Sequence, residues 1–287
     1  MKKILSILLS GMLLVGTLTG CQSNKSATDE GAKKGAQNRL EQIKASGKLI
    51  MGTSPDFAPS EFIDNSSGKP VYVGSDIELA KYIAESLGVE LEVKAMEFSA
   101  IQQAVQSGTI DIGIAGFAYN PERAEAMELT EKFNIGTEES YQGLLTLKDN
   151  ASNYKTKEDF SGKKVVAQNA SLQQALVEEQ LPEDVKFQPV TSTSDGIMMV
   201  ITGKADAMAV DSDNAENLMH NYTEIAMADF QFDYESEGNV AGIKKGETEL
   251  LEAINEIIVE VNEKGLYEKW TKEAEELANK LGIEMGE

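Results

Sequence analysis

The sequence predicts two α/β lobes of similar plan, preceded by a leader and a polar tether. Three observations predict it. From residue 38 onward, apolar runs of strand length alternate with helical patterns, which is the mark of parallel sheets crossed by helices. Two pairs of segments recur in the same order: SGKLIMGTS (Ser46–Ser54) with SGKKVVAQ (Ser161–Gln168), and SGTIDIGIA (Ser107–Ala115) with TGKADAMAV (Thr202–Val210). In the second pair a turn glycine (Gly108, Gly203) stands three residues before an aspartate (Asp111, Asp206), and two ordered matches are harder to obtain by chance than one. Finally, 287 residues with 41% hydrophobic and 26% charged side chains suffice for one large or two medium domains with a real core.

The elements follow in order. Residues 1–20 carry Lys2-Lys3, an apolar run over 4–15 and then small residues, a secretory signal peptide too short to span a membrane. Leu18-Thr19-Gly20-Cys21 resembles the bacterial lipobox, after which the cysteine becomes the first residue and carries a fatty-acyl (palmitate) anchor. Residues 21–37 hold almost nothing apolar and read as a tether. A short helix from Asn38 precedes the first strand. Ser75 and Asp76 open a helix that Gly88 stops. Ser99 with Gln102, and Ser171 with Gln174, have capping-box spacing. Ile110, Ile112 and Ile114 read as a short buried strand, followed by the loop Gly116–Tyr119 and a helix with Asn120 as N-cap and Pro121 at its first position. Residues 247–265 carry Leu250, Ile254, Ile257, Ile258 and Val261 on one face, and a last helix over 266–281 holds Tyr267 and Trp270.

Charge and composition narrow the function. The formal net charge is −22; removal of Lys2 and Lys3 with the leader leaves 24 basic residues against 48 acidic ones, a net −24. Such a surface repels phosphate backbones, so nucleic acid is not an expected partner. Cys21 and His220 are the single cysteine and histidine, so no internal disulfide can form and a zinc or Cys/His catalytic site lacks ligands.

Five residues offer chemistry at strand ends or helix starts, where open α/β sheets place their ligands. Arg123 falls in the first turn of the helix begun by Pro121, where the helix already presents partial positive charge; the two together make an anion site that a carboxylate satisfies. A lone arginine is ordinarily a solvated surface residue, and the neighbours decide. Phe57 and Phe98 lie after a strand and before a helix, as core or as ligand cover. Ser171 is an N-cap able to meet an anion or simply to cap. Asp211 follows the strand over 207–210 and can accept an ammonium. Arg123 and Asp211, one from each lobe, are of opposite charge and suit a zwitterion, of which an α-amino acid is the obvious case.

At these residues the chain resembles the extracytoplasmic solute-binding proteins of polar amino-acid ABC importers, the family that includes the glutamine-, histidine- and lysine/arginine/ornithine-binding proteins. The matching runs are GTSPDFAPSEFID (Gly52–Asp64), GSDIELAKYIAESLGV (Gly74–Val89), FSAIQQAVQSGTIDIGIAG (Phe98–Gly116), PERA (Pro121–Ala124), SGKKVVAQNAS (Ser161–Ser171), GKADAMAVD (Gly203–Asp211) and NEKGLYEKW (Asn262–Trp270). The resemblance implies a periplasmic-binding-protein-like fold of type II: two doubly wound sheets joined by a two-strand hinge, with crossing strands near Gln142–Thr146 and Glu237–Gly242, lobe 1 over 38–141 and 240–287, and lobe 2 over 142–239. It implies that Arg123 clamps the ligand carboxylate, Asp211 takes the ammonium, Gly116 lends backbone groups, Ser171 helps with the carboxylate, and Phe57 and Phe98 cover the side chain. Ala118 stands where the family has Ser or Thr, Ala170 where Gly is common, and Ser54 where several relatives have Asp. A neutral polar amino acid is therefore the expected ligand, with Asp56, Glu138 and Glu139 as the substitute acids for a basic one.

The function so implied is capture of an amino acid outside the cell and delivery to an ABC permease by a monomer anchored to the membrane through its N-terminal lipid. No cofactor, metal or catalysis is expected. Two alternatives share the fold: a ligand-sensing module acting on a separate receptor, and a dehydratase, for which Glu61, Glu97 and Asp56 lie in suitable segments without evident pairing.

Overall fold

The computed structural model describes residues 38–134, 140–235 and 238–283. The chain divides into a unit over 1–36 and a unit over 37–287. The leader, Cys21, the tether, Glu138 and Glu139 lie outside the described residues.

The elements in chain order are α1 (Arg39–Ser46), β1 (Lys48–Thr53), β2 (Phe62–Asp64), β3 (Val71–Val73), α2 (Ser75–Leu87), β4 (Glu90–Ala95), α3 (Phe98–Ser107), β5 (Ile112–Gly113), α4 (Pro121–Ala126), β6 (Glu128–Leu129), β7 (Gln142–Leu147), β8 (Lys164–Gln168), α5 (Leu172–Gln180), β9 (Lys186–Val190), α6 (Thr193–Ile201), β10 (Ala207–Asp211), α7 (Ser212–Asn221), β11 (Ile225–Gln231), β12 (Gly242–Ile243), α8 (Thr248–Glu263) and α9 (Leu266–Lys280). They build two five-stranded sheets, ordered β4-β1-β5-β12-β6 and β11-β7-β10-β8-β9, and a small β2-β3 ribbon. Both large sheets are buried on both faces. In the first, Ile43, Leu49, Ile77, Ile83, Ile254 and Ile258 fill one side, and Ile101, Val105, Ile110 and Phe117 the other. In the second, Phe160, Val165 and Leu176 oppose Val166, Ile197 and Met208.

The repeat in the sequence is a repeat in the fold. β1-α2-β4-α3-β5 and β8-α5-β9-α6-β10 each place three parallel strands in the spatial order second, first, third. The paired aspartates do the same work in each. Asp111 accepts from the Ile50 N–H at 2.7 Å, and Asp206 accepts from the Lys164 N–H at 2.8 Å, so each carboxylate ties the start of the third strand to the first. Gly108 and Gly203 turn the chain into these positions with φ of 74° and 69°.

The sheets are mixed where the sequence predicts parallel ones. β12 runs antiparallel to β5 and β6, and β7 antiparallel to β10 and β11. The cause is topological. Chain arriving from the other lobe enters a sheet at the carboxyl ends of its parallel strands and must run against them. This also corrects the crossing segments. Gln142–Thr146 is not a crossing strand but belongs to β7, a full member of the second sheet, and Gly242 begins β12 in the first. Among the described residues the chain between the sheets is 130–134 with 140–141 and 232–235 with 238–241; residues 238–241 fall inside the second predicted segment, and Glu237 lies outside the described residues. These segments run antiparallel, with Phe133 and Asn239 exchanging backbone hydrogen bonds of 2.9 Å and the Phe232 N–H donating to the Gln142 carbonyl at 2.9 Å.

One predicted cap is absent. α3 begins at Phe98 with Glu97 as N-cap and no side-chain cap, so Ser99 and Gln102 form no capping box. Ser171 is the N-cap of α5 and accepts from the Gln174 N–H at 3.1 Å, but Gln174 reaches back to the Ala170 N–H, one residue beyond the box geometry. Ser75 and Asp76 lie inside the first turn of α2, whose N-cap is Gly74.

Candidate functional site

The carboxyl ends of the parallel strands of both sheets open on one cavity of about 750 Å³. After β1 come Ser54, Asp56 and Phe57; after β5, Gly116, Ala118 and Arg123; after β8, Ser171; and β10 ends in Asp211. All seven residues singled out in the sequence (Phe57, Phe98, Gly116, Ala118, Arg123, Ser171, Asp211) line it.

Arg123 is fixed by its helix and by two rings. Asn120 caps α4 by accepting from the Arg123 N–H at 2.6 Å, with Pro121 at the first position. The side chain is only 4% exposed, with its guanidinium carbon 4.8 Å from the Phe117 ring centre and 5.9 Å from that of Phe98. It donates through Nη1 to the Ala118 carbonyl and through Nη2 to the Ala170 carbonyl at 3.4 Å. Its Nε has no partner, and among the described residues no carboxylate pairs with it. Burial pulls its pKa down to about 10, so the group stays charged at neutral pH and lacks a counter-charge.

Asp211 is the last residue of β10 and the N-cap of α7, accepting from the Asn214 N–H at 2.8 Å. Burial raises its pKa to about 6, an effect the Asn214 N–H opposes and nearby Asp213 reinforces. Asn214, three residues on and 6% exposed, lines the same cavity with an unpartnered Oδ1.

Gly116 adopts φ of 55°, a left-handed conformation that suits glycine, and its N–H donates to Asp76 Oδ2 at 2.9 Å. The amide is thus committed within the protein, leaving the carbonyl as the group Gly116 has to offer. Asp76 itself is fully buried and also accepts from the Tyr267 hydroxyl at 2.6 Å, which in turn accepts from Ser75 Oγ at 3.1 Å. Glu61 sits beside it, 1% exposed, with Oε2 unpartnered. Burial first, then the adjacent Asp76, push the Glu61 carboxyl well above the ordinary range, whereas donors from Tyr267 and Gly116 oppose the burial of Asp76. Of the two, Glu61 is pushed the more strongly toward its protonated form. Replacing Asp76 with alanine strands the Gly116 N–H and the Tyr267 hydroxyl in a dry site. Loss of roughly 2–5 kcal/mol of stability is expected in denaturant titration, with Asp76→Asn, which retains an acceptor, losing less.

Sequence reasoning found the cavity's charged poles but missed what supports them. Asp76 is disguised as a helix start, Glu61 shows in sequence only as an acid in a suitable segment without its partner Asp76, and Asn214 looks like any helix residue. The only signal for Asn214 is its spacing from an N-cap aspartate. Ser54 donates to Asp56 Oδ1 at 3.0 Å, and Asp56 and Glu61 are both in the cavity wall, but Glu97 is not.

Residues 49–273 match the bacterial extracellular solute-binding proteins, family 3. The chain is 27% identical over 276 residues to the arginine-binding extracellular protein ArtP of Bacillus subtilis, covering 95% of this chain and 97% of that one. It is 28% identical over 269 residues to the L-cystine-binding protein TcyJ of Escherichia coli, covering 91% and 94%. Among solved structures, the amino acid ABC transporter substrate-binding protein AbpA from Streptococcus pneumoniae, bound to L-arginine, superposes with a TM-score of 0.77 at 31% identity over 86% of this chain and 100% of that one. The chain belongs to the bacterial extracellular solute-binding proteins, family 3.

Proposed function

We propose that this chain captures an α-amino acid outside the cell, holds it between its lobes, and delivers it to an ABC importer permease. The observation that carries the reading is Arg123: a buried guanidinium with no carboxylate among the described residues, facing the same cavity as Asp211. A ligand carboxylate supplies the missing anion, and the ligand ammonium supplies a cation to Asp211. Ser171 and the Gly116 carbonyl flank these poles, Ala118 contributes backbone only, Phe57 and Phe98 cover the side chain, and Asn214 Oδ1 is a further acceptor. The lobes are taken as 38–141 with 240–287, and 142–239.

A cationic side chain fits better than the neutral one expected from Ser54. Asp56, Asp211, Asp213, Glu216, Glu268 and Glu275 line the cavity against Arg123 and Lys272, so acids remain in excess after the two poles are paired. The relatives named for arginine support the same choice. Signal-peptide removal and acylation of Cys21 would tether a monomer to the outer face of the cell membrane, and no catalysis is assigned.

The test is thermal melting of the protein from Gln22 onward against the twenty amino acids. A ligand present at ~100 times its dissociation constant adds about 2.7 kcal/mol to stability. A rise in melting temperature with L-arginine or L-lysine above all others is expected; no rise with any amino acid contradicts the reading.

A further inference from the structure

Chain crosses between the two sheets at one side and hydrogen bonds cross at the other. The chain passes between the sheets from β6 to β7 and from β11 to β12. In the first sheet these strands lie at the end opposite β4 and β1, and in the second at the end opposite β9 and β8. Side chains following β1 and β4 reach the segments following β8 and β9. Asp56, after β1, accepts through Oδ2 from the Thr193 N–H at 3.1 Å, in the first turn of the nine-residue helix α6 that follows β9. Gln102, on α3 after β4, donates through Nε2 at 3.0 Å to the carbonyl of Ala170, which follows β8. The same carbonyl is the distant acceptor of Arg123 Nη2.

We propose that Asp56 and Gln102 form a clasp that holds the lobes together on the side of the cleft remote from the crossing chain, and so position the two halves of the ligand site before the ligand arrives. The proposal deepens the amino-acid reading and rests on it for its effect on affinity. Three features argue for a clasp and against incidental contact. The Asp56 carboxylate meets the positive end of a helix it does not belong to, and its other oxygen is steadied by Ser54 Oγ at 3.0 Å. Gln102 is free to reach across because it takes no part in capping its own helix. Ala170 holds φ of 61° at the turn that presents its carbonyl, a left-handed conformation rarely taken by a residue other than glycine. Because the contacts join segments that follow β1 and β4 in one sheet and β8 and β9 in the other, on the far side of each sheet from β6, β12, β7 and β11, each opposes opening. A site assembled only in the closed form binds with its intrinsic affinity reduced by the closed fraction, so a clasp that raises that fraction tightens binding without touching the ligand.

The experiment compares the wild type with Gln102→Ala, the isosteric Gln102→Glu, which lacks the donor, and Gln102→Lys, which restores one. Gln102 is not among the residues lining the cavity. Small-angle scattering is read first without any amino acid, so its outcome does not depend on the ligand reading, which is tested separately by melting. Expected results are a larger radius of gyration for the ligand-free Ala and Glu variants, recovery with Lys, and the same radius for all four at saturating L-arginine. Dissociation rates should rise about two- to tenfold in the Ala and Glu variants, with association no slower, as loss of one neutral hydrogen bond predicts. Asp56→Ala, which removes a charged acceptor, should open the ligand-free protein further. Ligand-free radii equal to wild type in both Gln102→Ala and Asp56→Ala overturn the clasp.

Discussion

Arg123→Ala abolishes amino-acid binding while leaving the ligand-free protein folded. The loss follows from geometry: truncating one partner of a buried, hydrogen-bonded charge pair costs about 3–5 kcal/mol, roughly a hundredfold to several thousandfold in dissociation constant. Retained stability follows from the unliganded state. There the guanidinium is buried without a carboxylate among the described residues and with Nε unpartnered, so its removal relieves a desolvated charge while forfeiting contacts to Phe98 and Phe117. Melting of the ligand-free variant within a few degrees of wild type, together with no response to amino acids in calorimetry, is the expected pair of results. Arg123→Lys keeps the charge but not the planar fork and should recover only part of the affinity. Wild-type affinity in Arg123→Ala contradicts the clamp.

The second large effect is with pH. Asp211 must be ionised to hold an ammonium, yet burial raises its pKa to about 6. Ligand binding pulls that value down, so affinity should be flat near neutrality and weaken about tenfold per unit below pH 6. At pH 6 binding should release about half a proton, measurable as a dependence of the calorimetric enthalpy on the buffer's ionisation heat. Stability of the empty protein has the opposite sign. An acid whose folded pKa lies above its unfolded value holds a proton that the unfolded chain has lost, so its contribution is present at low pH and declines as pH rises from about 4 to 6. Burial raises Asp56, Glu61 and Asp76 in the same direction. The ligand-free melting temperature should thus fall from pH 4 to pH 6 while the ligand-induced rise grows. Asp211→Asn, which keeps an acceptor for the Asn214 N–H, should bind weakly and with this pH dependence removed; an unaltered pH profile in that variant contradicts the role of Asp211.

Much of this architecture is legible in the residues because local and global signals agree. The Gly-x-x-Asp spacing at Gly108/Asp111 and Gly203/Asp206 reports a strand-closing hydrogen bond that the structure repeats in both sheets. Asn120-Pro121 places Arg123 in a helix turn because cap and proline each act within a few residues. What escaped the sequence depends on partners far away in the chain. Gln102 has the spacing of a capping residue, and only the distant Ala170 carbonyl shows why it faces elsewhere. Asp76 looks like a helix start until Tyr267, 191 residues on, donates to it. Strand direction at β7 and β12 departs from the parallel pattern for the same reason, because it is set by where the chain arrives from and not by its local pattern. The carboxylate excess around the cavity, on which our proposal of a cationic ligand rests, likewise gathers Asp56, Asp213, Glu216, Glu268 and Glu275 from segments far apart in sequence.

The central claim is that Arg123 reads the α-carboxylate, and titration calorimetry of wild type and Arg123→Ala with L-arginine and L-argininamide tests it most directly. The amide keeps the ammonium and the side chain and removes only the carboxylate charge. The wild type should prefer the acid by about a hundredfold or more, and Arg123→Ala should respond to neither. Equal binding of acid and amide by the wild type contradicts the account.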